Sequence, residues 1–261
     1  DLDGTTLNAN SELTQETIDT LHAVQKLGHK VAIVTGRPYR SSKEIYNQLN
    51  LGGPIVNFNG ALCHIPSKPE WDGRYHITLD TDLVLDLVAF NKTLPVDYLM
   101  VEGTELMYSN ITELPDCPYY PKDQKPLLIH PTTKLKEKPT AVALFSDLEL
   151  QSEIKKKILH RYNNGIEVRT WGGSYPCLEV ITSGIHKAKA VEHLSRYYDI
   201  HQKDILAFGD EDNDMEMIQY AGHGVAMQNG INELKNVANA ITPFTNDQNG
   251  LAKYLQDYFK L

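Results

Sequence analysis

Short aliphatic runs that stop at polar turns constrain this chain more than any other feature. Val31-Ala32-Ile33-Val34 ends at Thr35-Gly36-Arg37, Ile55-Val56-Asn57-Phe58 at Asn59-Gly60, and Ile205-Leu206-Ala207-Phe208 at Gly209-Asp210. A continuous apolar run of this length reads as a strand covered on both faces. Helical spacing separates the runs. Thr14 is a candidate N-cap ahead of Ile18, Leu21, Val24 and Leu27, with Gly28 as the stop. Pro38 can open the next helix. Further on, Ala190, Val191, Leu194 and Tyr197 or Tyr198 mark a helix, and another is expected from about Asn213 to Ala221. Val225-Ala226-Met227 and Ile241 read as strands, with helices around Leu234 and Val237 and around Leu251, Leu255 and Phe259. Repeated strand–helix–strand units predict an α/β fold with a Rossmann-like, doubly wound parallel sheet as its core. In such sheets the active site lies at the carboxyl ends of the strands.

Residues 82–183 break this rhythm. They hold expected helices at Asp82–Lys92 and Ile154–Tyr162, strand-like pieces at Ala141–Phe145 and Leu178–Ile181, and a Pro- and Tyr-rich stretch between Pro115 and Pro131. This reads as an α+β domain inserted between core segments 1–81 and 184–261. The Lys155-Lys156-Lys157 run reads as a solvated helix face. With 261 residues, 41% of them hydrophobic, the chain can bury a substantial core. A net charge of -9 argues against nucleic-acid or anionic-membrane partners, which need a basic footprint. Cys63, Cys117 and Cys177 form neither a disulfide framework nor a zinc spacing, and they read as free thiols in a reducing cytoplasm. No apolar run approaches bilayer-spanning length.

Polar residues concentrate where the strands end. Asp1-Leu2-Asp3-Gly4-Thr5-Thr6 places two carboxylates one residue apart, on the same side of an extended chain. Two such carboxylates repel unless a cation lies between them or one stays protonated. Thr35-Gly36-Arg37, Lys187 and the acidic run Gly209-Asp210-Glu211-Asp212-Asn213-Asp214 share the strand-end position. Each alone is an ordinary turn, surface lysine or helix cap; together they suit phosphoryl transfer to a carboxylate. Acid–base help of about 10²–10⁴-fold is far too little for phosphate-ester hydrolysis. A nucleophile, a metal and fixed positive charge are needed together. Aspartate can be the nucleophile, and hard Mg²⁺ takes carboxylate ligands. Thr35 Oγ and the Gly36 N–H can donate to phosphoryl oxygens, and Lys187 can neutralise their charge.

Asp1-Leu2-Asp3-Gly4-Thr5, Thr35-Gly36-Arg37, Lys187 and Gly209–Asp214, in that order, resemble the four motifs of the haloacid dehalogenase (HAD) superfamily of phosphatases. An insertion after Asn59-Gly60-Ala61, together with Gly224–Asn229 and Asn249-Gly250-Leu251, resembles its Cof-like branch. The resemblance implies a Mg²⁺-dependent phosphatase of small phosphorylated metabolites, sugar phosphates foremost, with the insertion as a substrate-selecting cap hinged near residues 81 and 184. Asp1 would be the nucleophile and Asp3 the general acid/base. Mg²⁺ would be held by the Asp1 side chain, the Asp3 backbone carbonyl and Asp210, with Asp214 orienting water on the metal. Thr35, Gly36, Lys187 and Asn213 would grip the phosphoryl group. Glu211 and Asp212 are expected to be exposed or capping. Arg37 stays open between a substrate contact and an ion pair, Asn59 between a pocket wall and a turn, and His186 between phosphate contact and surface. Arg169, Trp171 and Tyr175 can contact a leaving group or form cap core. Ala188 stands where the family commonly has glycine, and the family's apolar strand before the nucleophile implies apolar residues upstream of Asp1. Two other readings compete: a phosphotransferase or mutase of the same fold, and a non-enzymatic phospho-acceptor module. An acid at Asp3 and an inserted domain argue against the latter.

Overall fold

A computed structural model describes residues 1–115, 125–162, 165–171 and 176–261. Cys117 and Tyr175 lie outside the described residues. The chain divides into two compact units: residues 1–37, 42–76 and 186–261 form the first, and residues 38–41 and 77–185 the second.

In the first unit, helix Gln15–Lys26 starts where Thr14 accepts a hydrogen bond from the Thr17 N–H. Its buried face carries Thr17, Thr20, Leu21 and Val24, while Leu27 is exposed at the C-cap rather than on the apolar stripe. Strand Ile33–Val34 pairs in parallel with Ile55–Asn57, and Leu206–Gly209, His223–Ala226 and Ala240–Ile241 form a second, wholly parallel sheet. The expected run from Val31 shortens to two residues because Ala32 is exposed and only Ile33 and Val34 are buried. This unit also holds helix Tyr39–Leu49 from Ser42 onward and helices Lys187–Tyr197, Met215–Tyr220, Asn232–Val237 and Gly250–Phe259. Val34, Val56, Cys63, Ala190, Leu194, Ala207, Ile218 and Ala226 share one buried cluster. These elements make a mixed α/β core of the Rossmann-like kind.

The first sheet continues with two antiparallel strands that periodicity does not reveal, Leu62–His64 and Tyr75–His76. Their cause is local. Phe58, Asn59 and Gly60 have φ of 52°, 55° and 110°, so the chain reverses and Cys63 pairs with Val56. Gly60 is required there: a Cβ would come within 2.6 Å of the His186 carbonyl oxygen.

The second unit is an α+β layer pair. Its sheet runs in the order Leu127–Leu128, Met107–Ser109, Tyr98–Glu102, Ala141–Phe145, Cys177–Thr182, Ile166–Trp171, antiparallel except for the first pair. Strand alternation sorts its residues. Leu99, Val101, Val142, Leu144, Leu178 and Val180 pack with Val84, Leu87, Ile154 and Ile158 of helices Thr81–Phe90 and Gln151–Arg161. Tyr98, Met100, Ala143, Phe145 and Cys177 form a second cluster, with Tyr98 stacked on Phe145 at 4.4 Å.

Candidate active site

The opening hexapeptide is a tight turn around one carbonyl. The N–H groups of Thr5, Thr6 and Leu7 all donate to the Leu2 oxygen, and the Leu2 side chain is fully buried. Thr6 Oγ1 donates to the Asp1 carbonyl and Thr5 Oγ1 to Asp210 Oδ1 at 3.0 Å. Gly4, at φ 67°, lets Asp210 approach: a Cβ would lie 2.0 Å from Asp210 Oδ2. The turn that presents Asp1 is thereby tied to the end of strand Leu206–Gly209.

Lys187, the first residue of helix Lys187–Tyr197, has no solvent exposure. Its Nζ donates to Asp1 Oδ1 at 2.6 Å and to Asp214 Oδ1 at 2.8 Å. The other Asp214 oxygen accepts from the Asp210 N–H at 3.0 Å and the Glu211 N–H at 3.3 Å. Glu211 and Asp214 form a reciprocal capping box, with Glu211 and Asp212 exposed. Burial pushes the Asp210 carboxyl up to about 7, and the neighbouring Asp214 adds to the rise.

Oxygens of Asp1, Asp210 and Asp214 lie within 4.8 Å of one another. With all groups ionised, three carboxylates face one ammonium, leaving two negative charges uncompensated. A hard divalent cation with oxygen ligands fits that donor set and that charge. Asp214 belongs to this cluster alongside Asp1 and Asp210. Asp3 does not. Its carboxylate is about half exposed and held by Arg37, with Nε–Oδ2 at 2.8 Å and Nη2–Oδ1 at 2.5 Å. The two aspartates of the turn therefore occupy different environments, one buried on Lys187 and one at the solvent edge.

The Thr35–Arg37 loop is braced from the neighbouring strand. Thr35 is fully buried, its N–H donates to the Val56 oxygen, and its Oγ1 accepts from the Arg37 N–H. The Arg37 carbonyl accepts from the Phe58 N–H and from Asn57 Nδ2. Asn57 Oδ1 faces His64 Nε2 at 3.1 Å, and burial lowers the His64 pKa to about 4, so the imidazole is neutral and donates. Asn57 and His64 are missed by motif reading, because their contribution is a brace rather than a contact with reacting atoms. Gly36 faces the Asn59 and Asn213 amides, and Asn213 Nδ2 donates to Asn59 Oδ1 at 3.0 Å.

Three residues left open between a substrate contact and a structural place have these partners. His186 is half-buried at the N-cap of the Lys187 helix, with no hydrogen-bond partner at Nδ1. Arg169 donates to the Ile185 carbonyl, and Trp171 Nε1 donates to Glu179 at 3.2 Å.

The chain is similar to known proteins in sequence and in fold. The family profile described as haloacid dehalogenase-like hydrolase matches residues 1–255, and the chain belongs to that family. A curated relative in Bacillus subtilis (strain 168), 5-amino-6-(5-phospho-D-ribitylamino)uracil phosphatase YitU, is 37% identical over 262 residues, covering 100% of this chain and 96% of its own length. A crystal structure of a haloacid dehalogenase-like hydrolase from Bacteroides thetaiotaomicron superposes with a TM-score of 0.82 at 22% identity, covering 99% of this chain and 97% of that one. The HAD subclass IIB sugar phosphatase BT4131 superposes with a TM-score of 0.80 at 21% identity, covering 100% and 97%. The chain is a Cof-like HAD phosphatase, a hydrolase of phosphate monoesters. The non-enzymatic reading is set aside by that membership. No described helix is long and apolar enough to cross a membrane.

Proposed function

We propose that this phosphatase is Mg²⁺-dependent and works through an aspartyl-phosphate on Asp1. The observation that carries the reading is the fully buried Lys187 ammonium bridging Asp1 and Asp214 beside Asp210. Asp1 attacks phosphorus as the bond to the leaving oxygen breaks, and Asp3 delivers a proton to that oxygen. Asp3 then takes a proton from the water that attacks phosphorus, releasing phosphate and restoring Asp1. Thr35, the Gly36 N–H, Asn213 and Lys187 hold the phosphoryl oxygens. The Asp1 side chain, the Asp3 carbonyl and Asp210 would hold Mg²⁺, with Asp214 orienting water on it, and the ion would supply charge neutralisation for the transferring group. Arg37 keeps the Asp3 carboxylate at the open edge, where a leaving group departs.

Residues 82–183 act as the cap that selects the substrate. Sugar and sugar-alcohol phosphates are the favoured class, and the phosphoribitylamino-uracil named for the 37% identical relative is the first compound to try. The free, buried thiol of Cys63 suits a cytoplasmic setting. The test is phosphate release from a panel of phosphorylated sugars, nucleotides and cofactors with Mg²⁺. Turnover abolished by Asp1→Asn and by chelator supports the reading; turnover indifferent to both removes it.

A further inference from the structure

Asn59 belongs to none of the four motifs, yet its surroundings are unusual for a turn residue. Its side chain is 1% exposed. Oδ1 accepts from Asn213, but Nδ2 has no hydrogen-bond partner. Buried amide donors are nearly always satisfied, so an orphan calls for a missing acceptor. The backbone is also unfavourable. Asn59 has φ 55° and follows Phe58 at φ 52°, two consecutive non-glycine residues in the left-handed region. Strain of this kind persists only where the surroundings hold it, and it gathers at functional sites.

The hold is visible. The Asn59 N–H donates to the Thr35 carbonyl at 3.0 Å, and the Phe58 N–H to the Arg37 carbonyl at 3.3 Å. These bonds set the Asn59 amide against the Thr35-Gly36 turn: a Cβ on Gly36 would lie 3.1 Å from Asn59 Oδ1, 3.4 Å from its Nδ2 and 3.5 Å from Asn213 Nδ2. The unsatisfied donor is therefore beside Gly36 and Asn213, two residues assigned to the phosphoryl oxygens. We infer that Asn59 is a further substrate-binding residue, whose Nδ2 donates to an oxygen of the phosphoryl group. The inference rests on the phosphatase reading above. It explains why the amide is buried unpaired and why the backbone bends to bring it there. Being neutral, Asn59 adds a donor without cancelling the negative charge that favours a cation at Asp1, Asp210 and Asp214.

Asn59→Gly separates this role from a structural one. Glycine adopts φ 55° without strain, so the turn survives while the amide is lost. The expected result is a melting temperature no lower than wild type, with kcat/KM on an aryl phosphate reduced roughly tenfold to a hundredfold and inhibition by inorganic phosphate weakened in parallel. Asn59→Asp retains an acceptor for Asn213 but puts a charged oxygen in place of the donor, and it should lose more activity than the glycine variant. Asn59→Gly kinetics within twofold of wild type, or a lowered melting temperature with unchanged phosphate inhibition, overturns the inference. Asp1→Asn run alongside keeps the two readings apart: wild-type turnover in that variant removes the phosphatase mechanism itself.

Discussion

Lys187 is the residue on which the site depends most. Its ammonium is buried between two carboxylates. Removing one partner of such a cluster leaves uncompensated buried charge, at a cost of about 3–5 kcal/mol. Lys187→Met should therefore unfold at markedly lower denaturant, with part of the loss restored by Mg²⁺; urea titrations with and without the ion check this. Arg37 behaves differently because its ion pair with Asp3 is partly exposed to solvent. Such pairs contribute about 0–1 kcal/mol, so Arg37→Gln should barely change stability. It should lower kcat on alkyl phosphates, whose leaving oxygens need a well-placed acid, more than on aryl phosphates. Equal loss on both classes would show that Arg37 does not position Asp3. That Asp1, Lys187, Asp210 and Asp214 would lie near one another was legible from their shared place at strand ends. The pairing of Arg37 with Asp3 was not, since spacing cannot tell a substrate contact from an ion pair.

Among the elements, the hairpin Ile55–Asn57 to Leu62–His64 braces the Thr35–Arg37 loop through Asn57 and His64. His64 titrates near 4 when folded and near 6.5 when unfolded, because burial disfavours the imidazolium. Between those values the unfolded chain binds more protons, so stability falls as pH drops from about 6.5 towards 4. Wild type should lose about 1–2 kcal/mol more than His64→Gln between pH 7 and pH 5, measured by denaturant midpoints. Parallel pH profiles of the two proteins would contradict this brace. The turn Asp1–Thr6 makes a second prediction at this scale. Gly4→Ala meets both a positive φ and the Asp210 carboxylate, and should cost about 1–3 kcal/mol. Apolar runs announced the parallel strands and Thr14 announced its helix. The antiparallel Leu62–His64 and Tyr75–His76 escaped because their origin is the left-handed turn at Phe58–Gly60, and apolar spacing carries no record of backbone handedness.

At the scale of the molecule, an α/β unit holds the motifs and an α+β unit is inserted within it. The change of rhythm set the expected insertion at 82–183, and the second compact unit holds residues 38–41 and 77–185. Its six-stranded order was not legible, since pairing across it is non-local. Lys187 joins the distant Asp1 and Asp214 by hydrogen bonds, and the 35–37 loop reaches the Asp1–Thr6 turn through the Arg37–Asp3 pair. The claim that follows is that Asp1 carries the phosphoryl group during turnover. Acid quench of wild-type enzyme turning over an aryl phosphate with Mg²⁺, followed by peptide mass mapping, tests it directly. One phosphoryl group is expected on the peptide containing Asp1 and none in Asp1→Asn. A phosphoryl group on another residue, or turnover with no phosphoenzyme in a single-turnover time course, would contradict it.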